Sequence, residues 1–409
     1  MPRKLRTLLF STLYPSAARP VHGIFVETRL RELLKTGEVE ARVVAPVPWF
    51  PSTSPRFGDR AAMARTPRRE LRHGIEVLHP RYPLIPKLGM TLAPFFLAAA
   101  ARPALKRLIE EGFDFDLIDA HYYYPDGVAA ALLARYFRRP VVITARGSDI
   151  NLIGRFPLPR CMIAWAGRQA AASVGVSGAL VDAMKALGVP QGRLHKVRNG
   201  VDLQRFHPLG KVQSRTQLRL QGAPVLLSVG NLVELKGHDI CIDALAILRA
   251  EHPQAHLLII GSGPEHQRLQ QYAEQRQLAD GVSFVGQVPN ESLAAWYSAA
   301  DVLLLASSRE GWPNVLLEAL ACGTPVVASA VGGVPEVLAG EASSRLAAAR
   351  SGEAFAHGIR EVLGLRPAGA EAMGSTSALA HASRFGWDAT SQQQLNIFRK
   401  LMAEEATHA

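Results

Sequence analysis

Residues 300–325 read ADVLLLASSREGWPNVLLEALACGTP. The apolar run from Val302 to Leu305 has the length and branching of a buried parallel strand, and it delivers a short polar loop with Glu310 at its tip. Pro313 suits the first turn of a following helix, and Gly323 ends that helix. Glu318 then falls on the early turns, facing the strand ends. The same spacing leaves the N–H groups of Asn314 and Val315 at the helix start to receive a diphosphate or sugar hydroxyls. Carboxylates at 310 and 318 do not chelate phosphate, but each accepts two hydroxyl hydrogen bonds, which suits a vicinal diol. Two diols linked through a diphosphate describe a nucleotide sugar.

The same strand-then-helix cycle runs outward in both directions. Val225–Val229, Leu257–Ile260, Val282–Val285 and Val326–Ser329 read as further strands of one parallel sheet. Upstream, Leu5–Ser11, Ala41–Ala45, Leu117–His121, Val141–Thr144 and Ser173–Val176 form a second set, with helices expected over Val26–Leu34, Gly127–Tyr136 and Gly178–Leu187. The chain has 409 residues, which exceeds what one hydrophobic core usually serves. The fold class is α/β, with two doubly wound, Rossmann-like domains at 1–205 and 206–385 facing across a cleft. A last helix, about Ala389 to Ala403 within 386–409, packs back on the first domain. Ligands of such sheets bind beyond the carboxyl ends of the strands, which makes the cleft the default site.

With the organisation in place, the sequence resembles glycosyltransferase family 4, retaining enzymes of the GT-B fold. The resemblance rests on Glu310 and Glu318 with EGWPNVLLEA at 310–319, on NGVD at 199–202, and on SVG at 228–230 followed by Lys236-Gly237. It continues through GSGP at 261–264 and GGVPE at 332–336, and in the first half through Gly23, His121 with PDG at 125–127, and RGSD at 146–149. No single match is specific, but all occur in family order over residues 5–340.

The resemblance implies a role for each residue. Glu310 would hold hydroxyls of the donor sugar, Glu318 the ribose diol, and Lys236 the diphosphate. Trp312 and the amides around Asn314 and Val315 would complete the donor pocket. Gly23 would let backbone approach the phosphate or acceptor, His121 would face the reacting sugar, and Asp149 would bind in the cleft or cap the following segment. No dedicated base is implied, because the leaving diphosphate oxygen helps remove the acceptor's proton. The donor is expected to be a UDP-sugar or GDP-sugar, with no cofactor and no metal. One departure is Asn231, where many members carry an arginine, so that Lys236 carries the diphosphate alone or with Arg309. Residues 341–353 also lack the family's usual apolar run.

Two motifs are discounted. Asp114 and Asp116 match a DxD metal motif but precede a strand instead of ending one. Gly261 and Gly263 suggest a dinucleotide fingerprint, yet His266 stands where its third glycine belongs. A nucleotide-sugar epimerase would share the two-domain fold, as would a non-catalytic scaffold subunit.

The charge separates the halves: residues 1–205 carry 31 Lys+Arg and 16 Asp+Glu, a net +15, against 15 and 19, a net −4, in residues 206–409. Basic residues cluster from Arg56 to Arg72 beside an apolar stretch from Tyr82 to Ala101, a pairing that suits an anionic membrane surface. Nucleic acid is not expected as a partner, since no recognition motif accompanies the charge. The longest uncharged apolar stretch, Leu88 to Ala101, falls short of the roughly 20 residues needed to span a bilayer. Residues 1–10 lack the apolar core of a signal peptide. Three dispersed cysteines argue for a reducing compartment. The expected location is cytoplasmic and peripheral on the inner face of the membrane, with a lipid-linked or growing glycan of envelope or exopolysaccharide synthesis as acceptor.

Overall fold

The computed structural model describes residues 3–84, 89–364 and 375–408. The chain forms two compact units: Met1–Arg198 with Asp388–Ala409, and Asn199–Trp387. The divisions fall before the expected 205/206 and after the expected 385/386. The reason is local: the Val201 N–H donates to the Phe385 carbonyl at 2.8 Å, Val201 bridges Gly386 in parallel, and Gly200 packs on Trp387, so both segments belong to the second unit.

In the first unit an eight-stranded sheet runs Leu194–Lys196, Ala172–Gly175, Val141–Ala145, Leu117–His121, Leu5–Phe10, Val39–Val44, Ile75–Leu78 and Arg69–Arg72 in spatial order. All neighbours pair in parallel except the last two, which form an antiparallel hairpin. The sequence reading missed that hairpin and took Arg69–Arg72 as part of a basic cluster. His73 and Gly74, both at positive φ (49° and 77°), make its two-residue turn. Charged side chains along such an edge strand discourage pairing with another chain.

Residues 85–88 lie outside the described residues, and Gly89–Glu110 is a helix. Leu97, Ala101, Leu105 and Leu108 are buried along one face, which packs into the core, while Phe95 on the same helix is exposed. Among the described residues no helix is long and apolar enough to cross a bilayer.

The closing helix Trp387–His408 packs on the first unit as expected and extends beyond the expected end. Leu395, Phe398 and Leu401 sit among Leu33, Val39, Leu117 and Val142. In the second unit six parallel strands run Val282–Gly286, His256–Ile260, Val225–Val229, Val302–Leu305, Val326–Ser329 and Arg345–Ala347. Numbered in chain order this is 3-2-1-4-5-6, the doubly wound arrangement, with its switch point between Val225–Val229 and Val302–Leu305. Both strands are wholly buried, as parallel strands covered by helices on two faces require.

Candidate active site

The switch point of the second unit brings together the loops after its two central strands. Lys236 Nζ lies 2.6 Å from Glu310 Oε1, and the Ser307 hydroxyl donates to the same oxygen at 2.7 Å. The methylenes of Lys236 pass close over Gly230, with Asn231 exposed alongside. Behind Asn231 the buried His238 donates from Nε2 to the Asn231 carbonyl at 3.3 Å, and its Nδ1 accepts from Ser228 at 2.9 Å. Burial holds the His238 ring down at about 4, so it stays neutral. Sequence reasoning did not find this histidine, although it directly follows Lys236-Gly237.

Glu310 is held from the other side by Gly332. A Cβ there would lie 1.8 Å from the Glu310 carbonyl oxygen, and φ is +53°, so only glycine allows this loop to pass.

Asn314–Ala321 forms the helix that presents Glu318, with Leu316, Leu317 and Leu320 buried against the sheet. The Tyr297 hydroxyl donates to Glu318 Oε2 at 2.7 Å. Burial raises the Glu318 carboxyl to about 7, against the lowering effects of Tyr297 and Arg205. The Asn314 amide is not available as expected, because it donates to the Trp312 carbonyl at 3.1 Å. The Val315 amide makes no hydrogen bond among the described residues. The Asn314 side-chain oxygen accepts from Asn199 at 3.2 Å, which ties the NGVD segment to this helix start. Trp312 is buried against Phe385, and its Nε1 has no partner among the described residues.

In the first unit three expectations change. Gly23 (φ 69°) precedes the helix Ile24–Lys35, and a Cβ there would meet the Leu13 backbone at 2.4 Å. The chain's own packing therefore requires the glycine, whatever approaches it from outside. Asp149 is fully buried, accepting from the amides of Tyr123 (2.6 Å), Gly147 (2.7 Å) and Arg146 (3.1 Å). It fastens two loops and is not placed to bind an acceptor; burial raises its pKa.

His121 also turns inward, with 1% of its surface exposed. Its Nε2 donates to Asp119 at 3.2 Å and its Nδ1 accepts from Arg146, so both ring nitrogens are engaged. Burial lowers its pKa to about 4 despite Asp119, leaving a neutral ring. Asp119 further accepts from Gln394 at 2.8 Å, and Gln394 accepts from the buried Arg29 at 2.7 Å. Sequence reasoning missed this network. It also assigned no task to Asp126, whose buried carboxylate accepts from the Thr12 amide at 2.7 Å and is raised to about 7 by burial.

The discounted carboxylates form ordinary ion pairs, Asp114 with Arg139 and Asp116 with Arg3. Among the described residues no cluster of His, Cys, Asp and Glu could hold a metal ion.

Two Rossmann-like units, the second with a 3-2-1-4-5-6 sheet and a cation and a carboxylate meeting at its switch point, have the architecture of a GT-B glycosyltransferase. The chain belongs to glycosyltransferase family 4: residues 64–205 match the family described as Glycosyltransferase Family 4, and residues 211–376 that described as Glycosyl transferases group 1. It is 31% identical over 364 residues to TuaC of Bacillus subtilis, named as a teichuronic acid biosynthesis glycosyltransferase, covering 87% of this chain and 88% of that one. It is also 31% identical over 373 residues to a D-inositol 3-phosphate glycosyltransferase of Frankia alni, covering 85% and 90%. Among solved structures, sucrose-phosphate synthase from Thermosynechococcus elongatus superposes with a TM-score of 0.77 at 23% identity, covering 98% and 100%. Anabaena Alr3699/HepE in complex with UDP-glucose gives 0.71 at 21%, covering 98% and 100%. These structures share the fold.

Proposed function

We propose that this protein is a retaining, metal-independent glycosyltransferase. It moves a sugar from a UDP-sugar or GDP-sugar to a lipid-linked or growing glycan in envelope or exopolysaccharide synthesis, working at the inner face of the cytoplasmic membrane. The observation that carries the reading is the Lys236–Glu310 contact at the switch point, with Glu318 on the adjoining helix.

Lys236 receives the diphosphate, Glu310 accepts hydroxyls of the transferred sugar, and Glu318 accepts the ribose diol. The Val315 amide and the Trp312 indole N–H supply further donors. The bond between the anomeric carbon and the diphosphate oxygen breaks while the acceptor oxygen bonds to the same face of that carbon. The acceptor's proton passes to the departing diphosphate oxygen, so no protein base is needed. His121, neutral and doubly bonded, keeps the end of its strand in place instead of exchanging protons. Positioning and stabilisation of the leaving group supply the rate.

The relative named for teichuronic acid biosynthesis and the structure holding UDP-glucose support the acceptor and donor classes. Thermal shift against a panel of UDP-sugars and GDP-sugars identifies the donor, and transfer to a lipid-linked glycan is then measured with the wild type and Glu310→Ala. Undiminished transfer by the variant refutes the assignment. Product formed without any acceptor points instead to an epimerase.

A further inference from the structure

The first unit contains a cavity of about 200 Å³ that neither the donor site nor His121 uses. It lies beyond the carboxyl ends of Leu5–Phe10, Val39–Val44 and Ile75–Leu78, lined by Thr12, Ala45 and His79 from the segments that follow those strands. Open α/β sheets bind their ligands in this position.

One wall is a fixed chain of hydrogen bonds. Asp126 holds the amide and hydroxyl of Thr12, and the Thr12 carbonyl accepts from His22 Nε2 at 3.1 Å. That contact makes Nε2 the protonated nitrogen, so Nδ1 accepts from the Arg19 guanidinium at 3.0 Å. The Arg19 backbone is closed into a turn with Ser16, amide to carbonyl in both directions. Arg19 is therefore aimed by a histidine and a turn. It is half-buried and forms no ion pair among the described residues, and burial lowers its pKa while Asp59 acts on it only at longer range. A partly desolvated guanidinium without a carboxylate is costly unless an anion completes it.

The lining also supplies hydroxyls. Tyr82 is 7% exposed, and its hydroxyl makes no hydrogen bond among the described residues, although it lies within the field of Arg19 and Asp126. Tyr14 also lines the cavity, and its buried hydroxyl is likewise without a partner. His79 is saturated by the Ala45 carbonyl and Glu70, and forms a fixed wall. The enclosed volume suits a single sugar ring and not a nucleotide.

We propose that this cavity binds one anionic saccharide unit of the acceptor, with Arg19 receiving its carboxylate or phosphate and Tyr82 a ring hydroxyl. The inference rests on the glycosyltransferase reading for its saccharide acceptor, but the binding can be measured without transfer. Saturation-transfer NMR and calorimetry with the full-length protein, using D-glucuronate, D-glucose 6-phosphate and D-glucose, provide the test. At least one anionic sugar is expected to bind tenfold or more tightly than glucose, and whichever binds tighter identifies carboxylate or phosphate as the partner. Arg19→Gln is expected to weaken that sugar at least tenfold, Arg19→Lys less, because a point charge replaces a two-pronged donor. Tyr82→Phe is expected to weaken it severalfold with the preference for the anion retained.

Equal binding of glucose and glucuronate by the wild type overturns the proposal without recourse to any variant, as does an Arg19→Gln protein that melts normally and binds undiminished. UDP-sugar binding, measured in parallel, separates the two readings. A protein that takes the donor but neither acid sugar overturns this site alone. One that takes an acid sugar but no nucleotide sugar overturns the proposed function and leaves the site standing.

Discussion

Lys236 Nζ and Glu310 Oε1 stand 2.6 Å apart, so the two groups proposed to bind different parts of the donor also bind each other. On the proposed function, a donor diphosphate would give Lys236 a second anion and release Glu310 to accept hydroxyls. Glu310→Ala should lower kcat/KM by about 10²–10³ or more with little change in Tm. Lys236→Ala should act mainly on donor KM. Because each single change strands the partner, the double variant should lose less than the two losses combined. Steady-state kinetics of the four proteins tests this, and strict additivity would contradict it.

Gly332 offers a structural route to the same carboxylate. An alanine Cβ has no room against the Glu310 carbonyl, and φ of +53° adds backbone strain. Gly332→Ala should cost about 1–3 kcal/mol in stability and also impair turnover, although position 332 need touch no ligand. Denaturant unfolding and donor KM, measured together, check both effects; an active, fully stable variant would show that the loop relaxes freely.

Glu318 should impose a pH dependence of unusual sign. Its carboxyl is raised from 4.5 to about 7 by burial, so between these values the folded chain keeps a proton that the unfolded chain has lost. The contribution of this group to stability is therefore present below about 4.5 and disappears as pH rises through 7. Glu318→Gln removes the effect, and the variant should gain on the order of 1–2 kcal/mol relative to wild type between pH 5 and pH 8. Asp126, raised to about 7 in both proteins, cancels in this comparison. Donor affinity should run the other way in the wild type, weakening as pH falls below 7 and the acceptor oxygens are protonated. Melting curves and donor titrations at both pH values decide it.

Much of this architecture is legible in the chain because parallel strands buried on both faces must be continuous apolar runs; Val225–Val229, Val302–Leu305 and Val326–Ser329 have the expected bounds. Glu310 and Glu318 are legible for a related reason: one strand, one loop and one helix carry both. The Lys236–Glu310 pair is not, since it depends on which strands become neighbours at the switch point. The link from Gln394 to Asp119 crosses 275 positions and leaves no local trace. The hairpin at residues 69–78 did leave one, His73-Gly74 between two short alternating runs, but arginines dominated its reading.

That distant link carries its own prediction. Gln394→Ala would leave Asp119 and the buried Arg29 each short of a partner, at a cost of about 2–4 kcal/mol. Phe398→Ala, which empties a wholly buried site on the same helix, should cost about 3–5 kcal/mol. Only the first variant should disturb His121, so its ring resonances in NMR should shift for Gln394→Ala and stay near their wild-type positions for Phe398→Ala. Unmoved resonances in both would disconnect Gln394 from His121.

The basic surface proposed to meet a membrane is narrower than the count of arginines suggests. Arg72 is paired with Glu27, and Arg69 reaches both Glu76 and Glu111, so these two brace the hairpin edge. Arg56, Arg60 and Arg68 are exposed and form no ion pair among the described residues, and Arg56 stacks on Phe57. Trp49, 59% exposed, lies on the segment just before them. Aromatic rings beside unpaired arginines suit the headgroup region of an anionic bilayer. Changing Arg56, Arg60 and Arg68 to glutamine should weaken binding to phosphatidylserine vesicles by about 1 kcal/mol each, roughly fivefold per residue, and make the remainder less salt-sensitive. Arg69→Gln with Arg72→Gln should instead lower Tm and leave vesicle flotation close to wild type. Flotation unchanged by the first set of substitutions, or lost only with the second, would remove the membrane from the proposal.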